Sequence, residues 1–184
     1  MDREEQITQL LDKQAITDLL YAYCNAADRH DNDKMRQLYH EDAIDDHGGF
    51  FKGPAMDFID HLPDIQKSMR ILHHNLTTMN IAIEGDYAEG EIYVLAFHQA
   101  LDENNAPIDV LIGGRYLDKY EKRDGVWKFS YKAVLADWVK ISEPSEVRLD
   151  HPFVAGSYIG EPGQSDPSYA TFCLLTPGKP PFNS

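Results

Sequence analysis

The chain has few of the residues on which several large function classes depend. Its 184 residues hold 2 cysteines and 17 lysines and arginines against 31 aspartates and glutamates, for a formal charge of −14 and a pI near 4.8. A deficit of basic residues argues against nucleic acid or an anionic membrane as partner, since either requires a basic face. No apolar run approaches the ~20 residues that a membrane-spanning helix needs. The first residues, Met-Asp-Arg-Glu-Glu, are polar and acidic and unlike a signal peptide. Cys24 and Cys173 have no metal-site spacing and give little support for a disulfide. A reduced, cytoplasmic setting is the default expectation. A glycine-rich phosphate loop, a His-Glu-x-x-His helix and a Gly-x-Ser-x-Gly elbow are all missing, so no cofactor is expected.

What is present fits one soluble domain, with 42% hydrophobic and 11% aromatic residues. Residues 3 to 27 carry apolar side chains at three- and four-residue spacings (Ile7, Leu10, Leu11, Ile16, Leu19, Leu20, Tyr23), which predicts a long helix with one buried stripe. Asp28 falls at its end, where a carboxylate opposes the helix dipole and calls for a compensating donor. A short second helix follows from about Asp33 to Tyr39, capped by Asp31 or Asn32. Residues 40 to 54 read as a strand ending at a turn. Residues 54 to 69 read as a third helix that Pro63 breaks or kinks.

The period then changes to two. Four strands are predicted over 71–84, 87–101, 108–122 and 126–141, separated by turn signals such as Glu84-Gly85-Asp86 and Arg123-Asp124-Gly125. The class is therefore α+β, three N-terminal helices on one face of a curved antiparallel sheet, with a pocket between them. Residues 143–184 contain seven of the ten prolines but stay aromatic. They read as an irregular arm lying over its own pocket or a neighbouring subunit, beside a main domain at 1–142.

Alternation proposes which side chains line the pocket. Val94, Ala96 and His98 share a face, as do Ile112, Gly114 and Tyr116, and Lys132, Val134, Ala136 and Trp138. These faces suit a hydrophobic, aromatic or polycyclic small molecule. Asp45 or His47 could also face inward. Of the neighbours His73 and His74, one must face inward, and Asp28 is its expected partner. The crowded segment His40, Asp42, Asp45, Asp46 and His47 invites a metal reading, but a strand divides these residues between two faces, so no metal site is expected. The outward side chains Tyr93, Leu95, Phe97, Leu111 and Leu117 predict a covered face, hence a homo-oligomer, either dimer or trimer.

Three stretches carry a family resemblance: Ala27-Asp-Arg-His-Asp31, Leu72-His-His-Asn75 leading into Ile83-Glu-Gly-Asp-Tyr-Ala-Glu-Gly90, and Gly113-Gly-Arg-Tyr-Leu-Asp-Lys-Tyr-Glu-Lys-Arg-Asp-Gly-Val-Trp-Lys-Phe129. Over about residues 5–140 the chain resembles the SnoaL-like branch of the nuclear-transport-factor-2-like superfamily. It is similar to scytalone dehydratase, hexachlorocyclohexane dehydrochlorinase and bile-acid 7α-dehydratase. The resemblance implies a cone-shaped (cystatin-like) α+β fold and cofactor-free elimination by a His–Asp dyad. It places the dyad aspartate at Asp28 and, by distance from Gly90, the dyad histidine at His73, with His74 as runner-up. It assigns supporting roles to His98, Tyr23 and Lys132. Two departures stand out: Ala27 replaces the tyrosine before the dyad aspartate of scytalone dehydratase, and Asp45-Asp46-His47 replaces a first-strand tyrosine of that enzyme.

On this resemblance the expected function is that of a cofactor-independent lyase, with water loss as the leading reaction. Carbon–carbon cleavage releasing formaldehyde, or an isomerase or aldol cyclase, would use the same base. A ligand-binding or interaction module is the non-catalytic alternative, and a structural partner of a ring-hydroxylating oxygenase is a third.

Overall fold

The computed structural model describes residues 2–175 and 178–180. Helix α1, Arg3–Asp28, begins with a capping box: Asp2 accepts from the Glu4 and Glu5 amides, and Glu5 reaches back to the Asp2 amide. Its apolar stripe is buried only from Ile16 onward, while Ile7, Leu10 and Leu11 stay exposed. At 1.5 Å per residue the helix is about 39 Å long, and its first turns border shallow clefts against Ile81–Gly85 at the end of β3. Asp12 fixes the junction, accepting from Lys122 Nζ and Trp127 Nε1, both at 2.8 Å.

Helix α2, Asn32–Gln37, is capped by Asp31. The segment expected as one strand is a hairpin, β1 (Tyr39–Asp46) and β2 (Lys52–Pro54), turning at Gly48, whose φ of 61° suits glycine. Helix α3, Ala55–Gln66, continues through Pro63 instead of breaking there. The N-terminal helices are thus interrupted by β1 and β2, and a fourth, α4 (Pro167–Thr171), lies in the arm.

The long strands are β3 (Met69–Glu84), β4 (Tyr87–Leu101), β5 (Pro107–Arg123) and β6 (Val126–Ser142). They form an antiparallel meander within a curved, unclosed sheet of order β2-β1-β6-β5-β4-β3, where β1 runs parallel to β6. The core lies between its inner face and the helices, filled by Ile16, Leu19, Leu20, Tyr23, Phe58, Ile92 and Phe129 among others.

Two of the bulges among the long strands decide which side chains reach that face near the dyad and the end of β6. On β3, Leu76 opposes Val94 and Met79 opposes Ile92, so two threonines stand against the single residue Tyr93. On β6, Ala136 opposes Gly114 and Trp138 opposes Gly113, leaving Asp137 extra. One extra residue reverses the alternation beyond it. Trp138 therefore turns to the outer face, where its ring covers Gly113 and is half exposed, and it does not line the interior.

The arm folds onto its own chain. Ser145 Oγ donates to Asp109 at 2.6 Å and accepts from Gln99 Nε2 at 2.8 Å. Farther on, Arg29 pairs with Asp166 at 2.7 Å, and its carbonyl accepts from the Gly163 amide, also at 2.7 Å.

Candidate active site

Asp28 ends α1 opposite the inner face of β3, and the donors it needs come from one residue. His74 Nδ1 lies 2.6 Å from Asp28 Oδ1, and the His74 backbone amide donates to both carboxylate oxygens at 3.1 and 3.2 Å. The histidine expected there from distance to Gly90 was His73. Gly90 opposes Ile81, and counting back by twos from Ile81 reaches His73. The bulge after Leu76 adds a residue, so Ile81, Met79, Leu76, His74 and Leu72 face inward while His73 is exposed. His73 is corrected to His74 on that ground.

A carboxylate at Nδ1 favours the tautomer that carries its ring proton there, which points the Nε2 lone pair away from Asp28. That Nε2 lies 3.3 Å from His98 Nε2. Burial, and then His74 beside it, push the His98 pKa down to about 4. His98 is therefore a neutral ring able to donate from Nε2 to His74. Ala96, directly opposite His74, is small enough to leave both rings room. The His74 and Asp28 side chains keep 13% and 12% of their exposure, so the pair is sheltered but reachable.

The other polar residues form a second, sealed cluster. Asp45, Lys132 and Asp118 stand opposite one another across β1, β6 and β5, each at most 2% exposed. Lys132 Nζ donates to both Asp118 oxygens at 3.0 and 3.1 Å, and Tyr120 donates to Asp118 at 3.0 Å. The ammonium is boxed by the rings of Tyr116, Tyr23 and Phe129, at 3.8, 4.2 and 4.6 Å from their centroids. Burial holds the Asp118 carboxyl above its ordinary pKa against the pull of Lys132. Burial also raises the pKa of Tyr23, which stays a neutral phenol. Tyr39 donates to Asp45 at 2.8 Å. His47 Nε2 is 2.8 Å from the other Asp45 oxygen but off the hydrogen-bond axis, and its ring stacks on Phe58 at 4.5 Å.

The expected site residues thus separate. Asp28 and His98 meet His74. Among the described residues, the hydrogen bonds and ring contacts of Lys132, Tyr23 and Asp45 are with the sealed cluster and not with the dyad. Val94, Ala96 and Tyr116 are buried in the core and Ile112 is half-buried. Gly114 is where the β6 bulge brings in the Leu135 carbonyl, which a Cβ would meet at 2.2 Å, so it serves backbone packing and not a ligand. Asp118 was overlooked, although the alternation through Ile112, Gly114 and Tyr116 leads to it. Cys24 is buried and free, with burial pushing its thiol up to about 12, and Cys173 is free and exposed.

A family model described as the SnoaL-like domain matches residues 8–132, about two thirds of the chain. The chain belongs to the SnoaL-like domain family. A search of curated proteins returns no match. Solved structures of this shape include a provisionally named scytalone dehydratase from Novosphingobium aromaticivorans (23% identity, TM-score 0.66, covering 78% of this chain and 93% of that one). The hexachlorocyclohexane dehydrochlorinase LinA-type3 from Novosphingobium barchaimii is similar at 22% identity and TM-score 0.69, covering 78% and 98%. A Mycobacterium tuberculosis protein of unknown function follows at 20% identity and TM-score 0.62, covering 84% and 88%. At these identities the neighbours establish the SnoaL-like fold.

Among the described residues no helix is long and apolar enough to cross a membrane, and no group of metal-ligating side chains comes together.

Proposed function

We propose that this chain is a cofactor-independent lyase that removes a carbon-bound proton with His74 and expels a leaving group, water first among candidates, from a hydrophobic small molecule. The observation that carries the reading is the 2.6 Å contact of Asp28 with His74 Nδ1, which leaves His74 Nε2 as the basic atom. Asp28 fixes the tautomer and stabilises the imidazolium that forms. A positioned base of this kind contributes typically 10²–10⁴-fold. On substrate entry the neutral His98 turns its Nε2–H from His74 to a substrate oxygen, where it stabilises developing negative charge, and the imidazolium formed on His74 passes the abstracted proton to the leaving hydroxyl, which departs as water. Lys132 and Tyr23 support the site from beneath by holding Tyr116 and the inner face in place.

The arm is proposed to roof this site, since it is held by the ion pair of Asp166 with Arg29, the neighbour of Asp28. The outer face, with Tyr93, Leu95, Leu117 and Trp138 all at least 37% exposed, is proposed to be covered by a second copy of the chain. Sedimentation of wild type against Leu95→Glu tests this: a wild-type oligomer that dissociates in the variant supports it, and a monomeric wild type refutes it.

The catalytic reading is tested by metal-free turnover on a panel of hydroxylated aromatic and polycyclic compounds, following product mass. A loss of water, of formaldehyde or no change in mass separates dehydration, carbon–carbon cleavage and isomerisation. Activity that collapses in both Asp28→Asn and His74→Ala supports the dyad, and activity untouched by either overturns it.

A further inference from the structure

Outside the dyad, the molecule has a cleft of about 430 Å³ between α1, α2 and the arm. Lys34 of α2 lies at one end. Its side chain is buried, with the residue 4% exposed, and among the described residues no carboxylate lies within ion-pair distance of its ammonium. Among the described residues its ammonium has one hydrogen-bond partner, the neutral Asn25 Oδ1 at 2.6 Å. An ammonium has three N–H donors, and the described residues engage one of them. Asp31 is the acid nearest in electrostatic effect, but its oxygens are committed. Oδ1 accepts from the Lys34 backbone amide, and Oδ2 accepts from the Gly178 amide at 2.8 Å and from the Tyr169 hydroxyl at 3.4 Å. Burial lowers the Lys34 pKa below the usual lysine range, the signature of a cation short of a counterion.

The rest of the cleft sets the shape of a ligand. Its walls are Tyr21 from α1 and Phe172 and Leu175 from the arm, each about half exposed and facing a shared space. Asp18, whose Oδ1 accepts from Gln14, is also on the lining. It is seven residues from Asn25 on the same helix, hence about 10 Å away along the axis. A carboxylate at that distance does not neutralise Lys34, but it can accept from a hydroxyl.

We propose that this cleft is a second binding site, taking an aromatic carboxylate whose acid group pairs with Lys34 and Asn25, whose ring lies between Tyr21 and Phe172, and whose distal hydroxyl donates to Asp18. The site uses no residue of the dyad and stands whether or not the dyad is catalytic.

The test is calorimetric titration of the full chain with para-hydroxyphenylpropionate, which spans roughly the required length, and with the uncharged para-hydroxyphenylpropanol. The acid should bind at one site with a Kd below about 1 mM. Lys34→Met should weaken the acid about tenfold or more, the usual worth of a charged hydrogen bond, and leave the weaker alcohol unchanged. Phe172→Ala should weaken both ligands severalfold, and His74→Ala should change neither. Absence of saturable acid binding to about 5 mM overturns the proposal. So does wild-type affinity in Lys34→Met, or loss of binding in His74→Ala, which would move the ligand to the dyad. If Lys34→Met does not fold by circular dichroism, the acid-to-alcohol ratio in wild type and the Phe172→Ala loss decide.

Discussion

Two groups of ionisable side chains share the inner face of one sheet, and they are built to opposite ends. In the row Asp45–Lys132–Asp118 the polar valences are largely filled: Asp118 accepts twice from Lys132 and once from Tyr120, and three rings enclose the ammonium. Near the end of α1, Asp28 is likewise filled by His74, but among the described residues the far nitrogen of that ring meets another imidazole, that of His98, and the His74 side chain keeps 13% of its exposure. A buried charge that has spent its hydrogen bonds holds a fold together. One that keeps a lone pair within reach of solvent can do chemistry. The comparison explains why Lys132, attractive as a catalytic cation in the sequence, is better understood as a structural one.

The largest expected effect separates the two groups by activity. His74→Ala and Asp28→Asn should each lower turnover about 10²–10⁴-fold, while the unfolding midpoint in urea shifts little, because both side chains are already partly wet. If these variants instead unfold while Lys132→Met stays folded and inactive, the roles of the two groups are reversed.

The next effect is on stability. Lys132→Met leaves the Asp118 carboxylate buried without its cation and should cost about 3–5 kcal/mol in urea unfolding. The double variant Lys132→Met/Asp118→Leu, which removes both charges, should recover most of that loss. Failure of the second change to rescue the first would mean that the ammonium over Tyr23, Tyr116 and Phe129 matters more than the ion pair.

Acid titration gives the two regions opposite signs. The folded pKa of His98 is near 4, below its ordinary 6.5. Its contribution to stability is therefore complete above pH 6.5 and is lost as pH falls toward 4, since the unfolded chain takes up the proton first. The loss is of order 1–2 kcal/mol once partial exposure is allowed for. Asp118 is held above its ordinary value, so on acidification the folded state takes up its proton first and this group favours folding as pH falls. Replacing His98 by Asn should flatten the stability curve between pH 6.5 and 4. An unchanged slope would mean that His98 is not held neutral in the folded chain.

These experiments also bear on what the sequence made legible. The ends of β3 to β6 follow from their turn residues, and Asp31 announces the helix it caps, because those signals are local. Asp28 was legible as the partner of an inward histidine, and His98 as an inward side chain on its strand. The errors at His73 and Trp138 have one cause. Each lies beyond a one-residue bulge, at Thr77–Thr78 on β3 and at Asp137 on β6. Alternation is reliable only up to the next bulge, and bulges depend on how a neighbouring strand pairs, which a single segment does not record. The exposed start of α1 has a related origin, since a stripe of Ile7, Leu10 and Leu11 says that a face is apolar and not what covers it.

The smallest expected effect tests that register most directly. His73 and His74 are adjacent, chemically identical and held on one strand, so their difference lies in the direction they point. His73→Ala removes an exposed ring with no inner-face contact and should leave turnover within about twofold of wild type and stability within ~0.5 kcal/mol, as surface substitutions usually do. His74→Ala deletes the base. A deletion at either bulge exchanges the two faces beyond it, so removing Thr78 should move His73 toward Asp28 and turn His74 outward. If His73→Ala proves as damaging as His74→Ala, the bulge does not set the inward histidine. If the Thr78 deletion retains a dyad whose activity now depends on His73, one residue of strand register is what separates the reactive imidazole from its exposed neighbour.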